Sequence, residues 1–329
     1  ETKRGKMATA TKPPQDTSFK IEDLPGVGSN TADRLRAMGY ADVKSIAMAS
    51  PDQLVSEMGM GKNMAETLVR KSRDVAISSD FVSCDVEYTR ERKQTVRINT
   101  GSSALNGLLG GGVELGKITE AYGSANAGKT QLGLQLAINL HRMSENYVTA
   151  YIDTENTFTA SRVHQIAELR GMDPKKVLNS IKLVRTLDTT DLSHYVEKVQ
   201  DLIQGKHDVR LVIIDSLLAP FRSEFLGREV LAERQQRIAS LLYSLKKYAQ
   251  TYNFAVYFTN QVLTKPDQMF GDPTTAAGGN VVSHYSHYRL YLRNARKGTR
   301  VAKLTDSSNM PEGEVAFEIN DRGIGDILL

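Results

Sequence analysis

The chain has 329 residues, 40% hydrophobic and 24% charged, which is ordinary for a globular protein and long enough for one large domain or two. A formal charge of +4 permits an anionic partner without demanding one. The single cysteine, Cys84, excludes an intrachain disulfide and fits a reducing compartment, while no apolar run approaches the roughly 20 residues that span a bilayer.

Residues 1–18 are polar, basic and rich in Thr and Pro, so a disordered tail is expected there. Over residues 19–78 two similar stretches follow one another, LPGVGSNTADRLRAMGY and MGMGKNMAETLVRKSRD. Each carries a Gly-apolar-Gly turn (Gly26-Val27-Gly28, Gly59-Met60-Gly61) beside a helical pattern. Ala32, Leu35 and Met38 recur on one face of the first helix, and Met64, Leu68 and Val69 on one face of the second. Helix, glycine turn, helix, twice over, is the helix-hairpin-helix arrangement, which meets DNA backbone through turn amides and helix N-termini. A small four-helix packing unit with glycine caps accounts for the same residues equally well.

Residues 79–99 read as a linker that carries some strand. Phe81 and Cys84 are apolar there, among Arg90, Arg92, Lys93 and Arg97. From residue 100 to 329 strands and helices alternate, which predicts an α/β domain with a mostly parallel sheet. Ile118 to Tyr122 is a short strand, and GSANAGKT follows it. In this glycine, four residues, glycine, lysine, threonine pattern, Gly123, Ser124, Ala125, Asn126, Ala127 and Gly128 turn backbone amides toward phosphates. Lys129 supplies a positive charge to the β- and γ-phosphates and Thr130 a hydroxyl to Mg²⁺. A helix begins at Gln131, with Leu132, Leu136 and Leu140 four apart. A glycine turn capped by Lys and Thr is the plain alternative.

Three further polar residues sit at strand ends, where sheets of this kind bind ligands. Glu155 follows the apolar Tyr151-Ile152 in YIDTENTF and is placed to take a proton from an attacking water. Asp215 closes the buried run LVIID and suits a Mg²⁺ site; a helix N-cap is its plain reading. Gln261 ends a strand over Phe254–Phe258, and a neutral amide there can sense a γ-phosphate. Between these two strands, Ile238, Leu241, Leu242, Leu245 and Tyr248 repeat at helical spacing. The run VLTKPDQMFGDPTTAAGGN after Gln261 reads as a long loop without structure of its own. Met269 and Phe270 in it either wedge between bases or tuck back onto the domain. Arg222, Arg228, Arg234 and Arg237 either contact phosphates or form a solvated helix face with Glu229 and Glu233. Val315, Phe317 and Ile319 alternate as in a half-exposed antiparallel strand.

With these pieces in this order, the chain resembles the archaeal RadA and eukaryotic Rad-type recombinases of the RecA superfamily. The likeness runs from about Ile21 to Gly325 through LPGVG, TGSSALNGLLGGG, GKTQ, YIDTE, IDS, FRSEFLGREVLAERQQ, TNQV, DPTTAAGGNVVSH and LTDSSNMPEGEVAFEI. The resemblance implies a RecA-like P-loop ATPase core behind an all-α helix-hairpin-helix domain. It implies ATP at Gly123 to Gln131 with Mg²⁺ at Thr130 and Asp215, catalysis by Glu155, Lys129 and Gln261, and adenine stacking by Arg162. Arg222, Arg228 and Arg234 match the first DNA loop. Lys265 to Ala277, with Met269 and Phe270, matches the second, and Gly278, Gly279 and Asn280 follow it. Asp306 and Pro311 match a cap laid over a neighbour's nucleotide, and His284 a link between that nucleotide and the DNA loop. Phe81 and Cys84 match the F-x-x-A plug that joins subunits, within the linker.

The implied function is ATP-dependent pairing and strand exchange between single- and double-stranded DNA in recombinational repair. A homo-oligomeric filament or ring and recombination mediators are the implied partners, in the cytoplasm or nucleoid, with no membrane. A mediator paralogue or a DNA-binding scaffold with a weak ATP site is the alternative. The chain departs from the family pattern at Cys84 (usually Ala), at SANA in the loop, at Asn156 (usually Gly) and at Thr159 (usually Arg).

Overall fold

The computed structural model describes residues 19–76, 81–227, 229–264 and 274–327. The expected tail over 1–18, together with Arg228, Lys265, Met269 and Phe270, lies outside the described residues. Two compact units divide between Phe81 and Val82.

In the first unit, helices Ser29–Ala37, Val43–Met48, Pro51–Met58 and Lys62–Ala76 enclose Leu35, Ile46, Leu54 and Leu68. Local chemistry starts two of them. The Asp42 carboxylate accepts from the Ser45 amide at 2.7 Å, and Ser50 Oγ accepts from Gln53 at 3.1 Å ahead of Pro51. Met38 and Met64, expected on the buried faces, are exposed: Met38 is the C-cap, already past the helix it was assigned to. A Cβ added at Gly28 or Gly61 would meet nothing within 4 Å, so both turns present bare backbone outward.

The second unit opens with a difference from the expected linker. Residues Cys84–Gln94 form a helix with no buried residue, followed by a two-residue strand, Arg97–Ile98. Asp85 and Glu87 in its first turn and Arg92 and Lys93 in its last complement the helix dipole. Without an apolar stripe, periodicity cannot reveal such a helix.

Nine strands build the main sheet in the order Gly323–Gly325, Gly313–Asn320, Thr299–Ser307, Tyr288–Asn294, Ile118–Gly123, Ala255–Asn260, Asp208–Asp215, Tyr147–Asp153, Ile181–Arg185. The last six pair in parallel and the first three add antiparallel. Alternate residues feed two cores: Leu211 and Ile213 point into one, Val212 and Ile214 into the other. Helix Lys129–Met143 fills the first, with Leu132, Leu136 and Leu140 buried, and helices Thr189–Gln204 and Leu231–Tyr252 cover the second. No described helix is long and apolar enough to cross a membrane.

His287 ties two central strands. Its Nδ1 accepts from the Ile118 amide at 3.1 Å, and its own amide donates to the Ile118 carbonyl at 2.8 Å. Burial, with Lys117 and Lys246 nearby, holds the imidazole down at about 4. The folded state therefore favours the neutral ring, so this stability is complete above about 6.5 and is lost as pH falls toward about 4. Denaturant titrations over that range should show the loss in wild type and a flatter profile in His287→Gln.

Candidate nucleotide and DNA site

The carboxyl ends of four neighbouring strands converge on one cavity of about 800 Å³, lined by Gly123 through Gln131, Glu155, Asp215 and Gln261. Strand Ile118–Gly123 delivers the chain into the loop, and helix Lys129–Met143 begins at its far end. Two glycines are dictated by space. A Cβ at Gly123 would stand 2.1 Å from the Leu292 carbonyl oxygen, and Gly128, with φ +102°, would meet Ile319 Cδ1 at 2.7 Å. Lys129 Nζ donates to the carbonyl oxygens of Gly123 (2.9 Å) and Ser124 (2.8 Å). Burial pushes its ammonium pKa down, against the attraction of Asp215 and Glu155.

Asp215 ends its strand buried. Its carboxylate accepts from Tyr151 Oη at 2.9 Å and from the Thr259 hydroxyl. Burial and the neighbouring carboxylate push the Tyr151 phenol well up, so it remains a donor. Thr154 Oγ1 both donates to the Ser216 carbonyl (2.8 Å) and accepts from the Ser216 amide (2.7 Å), fastening the two strand ends together.

Glu155 projects from a turn wrapped on its neighbour. The buried Asp153 carboxylate accepts from the amides of Thr157 and Phe158, both at 3.0 Å. In this turn Asn156 takes φ +56°, the left-handed conformation. The departure from the family's glycine thus falls on the residue type that, after glycine, best tolerates that conformation. Asn156→Ala is expected to cost about 1 kcal/mol and Asn156→Gly much less, read as midpoint shifts in denaturant. Thr159 is the N-cap position of helix Ala160–Leu169.

Gln261 joins the cavity to its surroundings. Its Nε2 donates to Glu155 Oε1 at 3.0 Å, and its Oε1 accepts from the Arg222 guanidinium. Arg222 and Arg234 share a smaller cleft with Leu263, Ala277 and Gly278. The roots of both expected DNA loops therefore meet beside Gln261. The second segment is not wholly irregular: Val262–Thr264 and Thr274–Ala276 pair antiparallel, their β-branched residues forming a short ribbon. Gly278 caps helix Gly279–Tyr285, on which Asn280 and His284 are exposed.

Arg162 lies against the cavity's rim rather than in its lining. Its Nε donates to Gln131 Oε1 at 3.0 Å and its other nitrogens to Gln165 and to the carbonyls of Asn320 and Asp321. Asp306 and Pro311 are exposed and absent from the lining of the chain's own cavity. Phe81 and Cys84 are exposed too. Sequence reasoning missed Arg300 and Ile319. Both line the cavity, and Arg300 Nε reaches the Asn126 carbonyl at 3.2 Å. The alternation around Ile319 placed it on a strand, but nothing local says that strand folds back over the loop.

Comparison with known proteins agrees with this arrangement. A family model described as a SAM-like helix-hairpin-helix tandem matches residues 20–74. The chain is 38% identical over 310 residues to a protein of Metallosphaera sedula named DNA repair and recombination protein RadA, covering 93% of this chain and 95% of that one. The Rad51 family model matches residues 91–327, which takes in the phosphate loop, both carboxylates and Gln261, and so this chain belongs to the Rad51 family.

Proposed function

We propose that this protein is a DNA recombinase of repair, binding ATP with Mg²⁺ in the Gly123–Gln131 cradle and coupling its hydrolysis to pairing of single-stranded DNA with a homologous duplex. One observation carries the coupling: Glu155, Gln261 and Arg222 form a continuous hydrogen-bonded chain from the cavity to the roots of the loops. The family and its RadA relative, named for DNA repair and recombination, support the reaction class.

The loop amides and Lys129 hold the phosphates, Gln131 and Arg162 border the adenine side, and Glu155 accepts the proton of the attacking water. Mg²⁺ would neutralise charge on the β- and γ-phosphate oxygens, and Thr130 and Asp215, both in the cavity wall, are the oxygen donors suited to hold it. Gln261 exchanges partners between Glu155 and the terminal phosphate. Arg222, Arg228 and Arg234, the segment containing Lys265, Met269 and Phe270, and Gly278 to Asn280 contact DNA, with the hairpin turns adding backbone contacts. Copies join through Phe81 and Cys84. Asp306, Pro311 and His284, exposed in one copy, serve the nucleotide of the next, and mediators act on the same joints.

The test is joint-molecule formation from single-stranded DNA and a homologous duplex, with ATP and without nucleotide. ATP-dependent joints are expected. Absence of joints with every nucleotide tried would remove strand exchange from the proposal.

A further inference from the structure

Glu120, in the middle of strand Ile118–Gly123, has no role in the chemistry above, yet it is a wholly buried carboxylate. One oxygen accepts from Arg289 Nε at 2.6 Å and the other from Asn260 Nδ2 at 2.7 Å. A carboxylate taken out of water needs both a countercharge and filled lone pairs, and these two partners supply them.

The partners lead in two directions. Asn260 ends its strand one residue before Gln261. Its Nδ2 also reaches the Ala277 carbonyl at 2.8 Å, and its Oδ1 accepts from the Gln261 amide at 2.8 Å. The Ala277 amide in turn donates to the Gln261 carbonyl at 2.9 Å. The base of the segment between Gln261 and Ala277 is therefore closed by this backbone bond, by the short strand pair beyond it and by the Asn260 amide, the one side chain in the closure, whose rotation Glu120 fixes. In the other direction, Arg289 stands opposite Asp306 in the strand register, at a bulge. Its guanidinium lies 5.4 Å from the centre of the Tyr122 ring, and Tyr122 Oη donates to Thr305 Oγ1 at 3.0 Å.

We propose that Glu120 is a positioning residue for DNA-dependent ATP hydrolysis, fixing the root of the 262–276 segment through Asn260 and setting it against the strand of Asp306 through Arg289. This rests on the reading of that segment as a DNA contact. Buried networks of this kind are strongly coupled, so removing one member loosens the others.

Glu120→Gln keeps the shape and an acceptor for Asn260 while removing the charge that holds Arg289. Asn260→Ala removes the side-chain part of the closure and leaves the backbone bonds and the ion pair intact. The full-length variants are assayed for ATP hydrolysis against increasing oligo-dT, with melting temperature measured on each. Both are expected to keep the DNA-free rate within about twofold while the half-saturating oligo-dT concentration rises about tenfold, and in the double variant the two effects are expected to combine less than additively, because they share the Glu120–Asn260 bond. Arg289→Lys, which keeps the charge, should fall between them and wild type. DNA-free and DNA-stimulated rates that fall together with melting temperature would mean a merely structural role and overturn the assignment. Lys265→Ala and Phe270→Ala separate the two readings. If they alter the oligo-dT dependence and Glu120→Gln does not, only the role of Glu120 fails. If they leave it unchanged, the DNA-loop reading fails and this proposal with it.

Discussion

Lys129→Ala is expected to weaken ATP binding by about 30- to 150-fold, the equivalent of the roughly 2–3 kcal/mol that a hydrogen bond to a charged group contributes. The ammonium is the only cation within the loop itself, and the carbonyls of Gly123 and Ser124 aim it across the mouth of the cradle. An alanine leaves the loop amides in place but leaves the terminal phosphates without their countercharge. It also strips a donor from two carbonyl oxygens at the loop's edge, a loss of about 1 kcal/mol of fold stability that a domain of this size tolerates. Nucleotide titration should show the lost affinity in a folded protein, and joint molecules should disappear at ATP concentrations that saturate wild type. Affinity within about threefold of wild type would place the phosphates elsewhere.

Glu155→Gln is expected to behave differently. Hydrolysis should fall by about 10²- to 10⁴-fold, the usual contribution of a positioned base, while ATP affinity changes by no more than about threefold. The amide matches the carboxylate in shape and still offers an oxygen to Gln261 Nε2, so the connection toward Arg222 survives. The turn is also untouched, because Asp153 rather than Glu155 anchors it. Such a variant should load ATP, assemble on single-stranded DNA and then fail to let go. Single-turnover hydrolysis and DNA dissociation, measured on one preparation, check both halves. Hydrolysis at the wild-type rate would exclude Glu155 as the base.

Most parts of this site that were legible in the sequence share a physical form. Three are short buried apolar runs ending in a polar residue: Tyr151-Ile152 before Glu155, Leu211–Ile214 before Asp215 and Phe254–Phe258 before Gln261; the fourth strand, Ile118–Gly123, is buried but carries Thr119 and Glu120, and it is the glycine-lysine pattern after it that marks the loop. Burial on both faces of a parallel strand writes itself as a continuous apolar run, and function gathers where the run stops. What was not legible depends on long-range order or on absent burial. Arg300 reaches Asn126 across 174 residues only because the antiparallel strands fold back over the loop. The pairing of Val262–Thr264 with Thr274–Ala276 is hidden by the glycines and prolines of the run, which argue locally for no structure. Glu120 looked like an ordinary strand residue because its partners, Asn260 and Arg289, come from distant strands.

Helix Cys84–Gln94 has a consequence of its own. Its 11 residues bury nothing, and an unpacked helix shorter than about 12–15 residues is marginal in water. Complementary charges at its ends contribute only about 0.3–1 kcal/mol each. On its own it should fray, so under the proposed joining of copies through this segment it becomes a reporter of association. Its amides should exchange with solvent almost freely in dilute protein and become protected as copies come together, long before any change reaches the sheet.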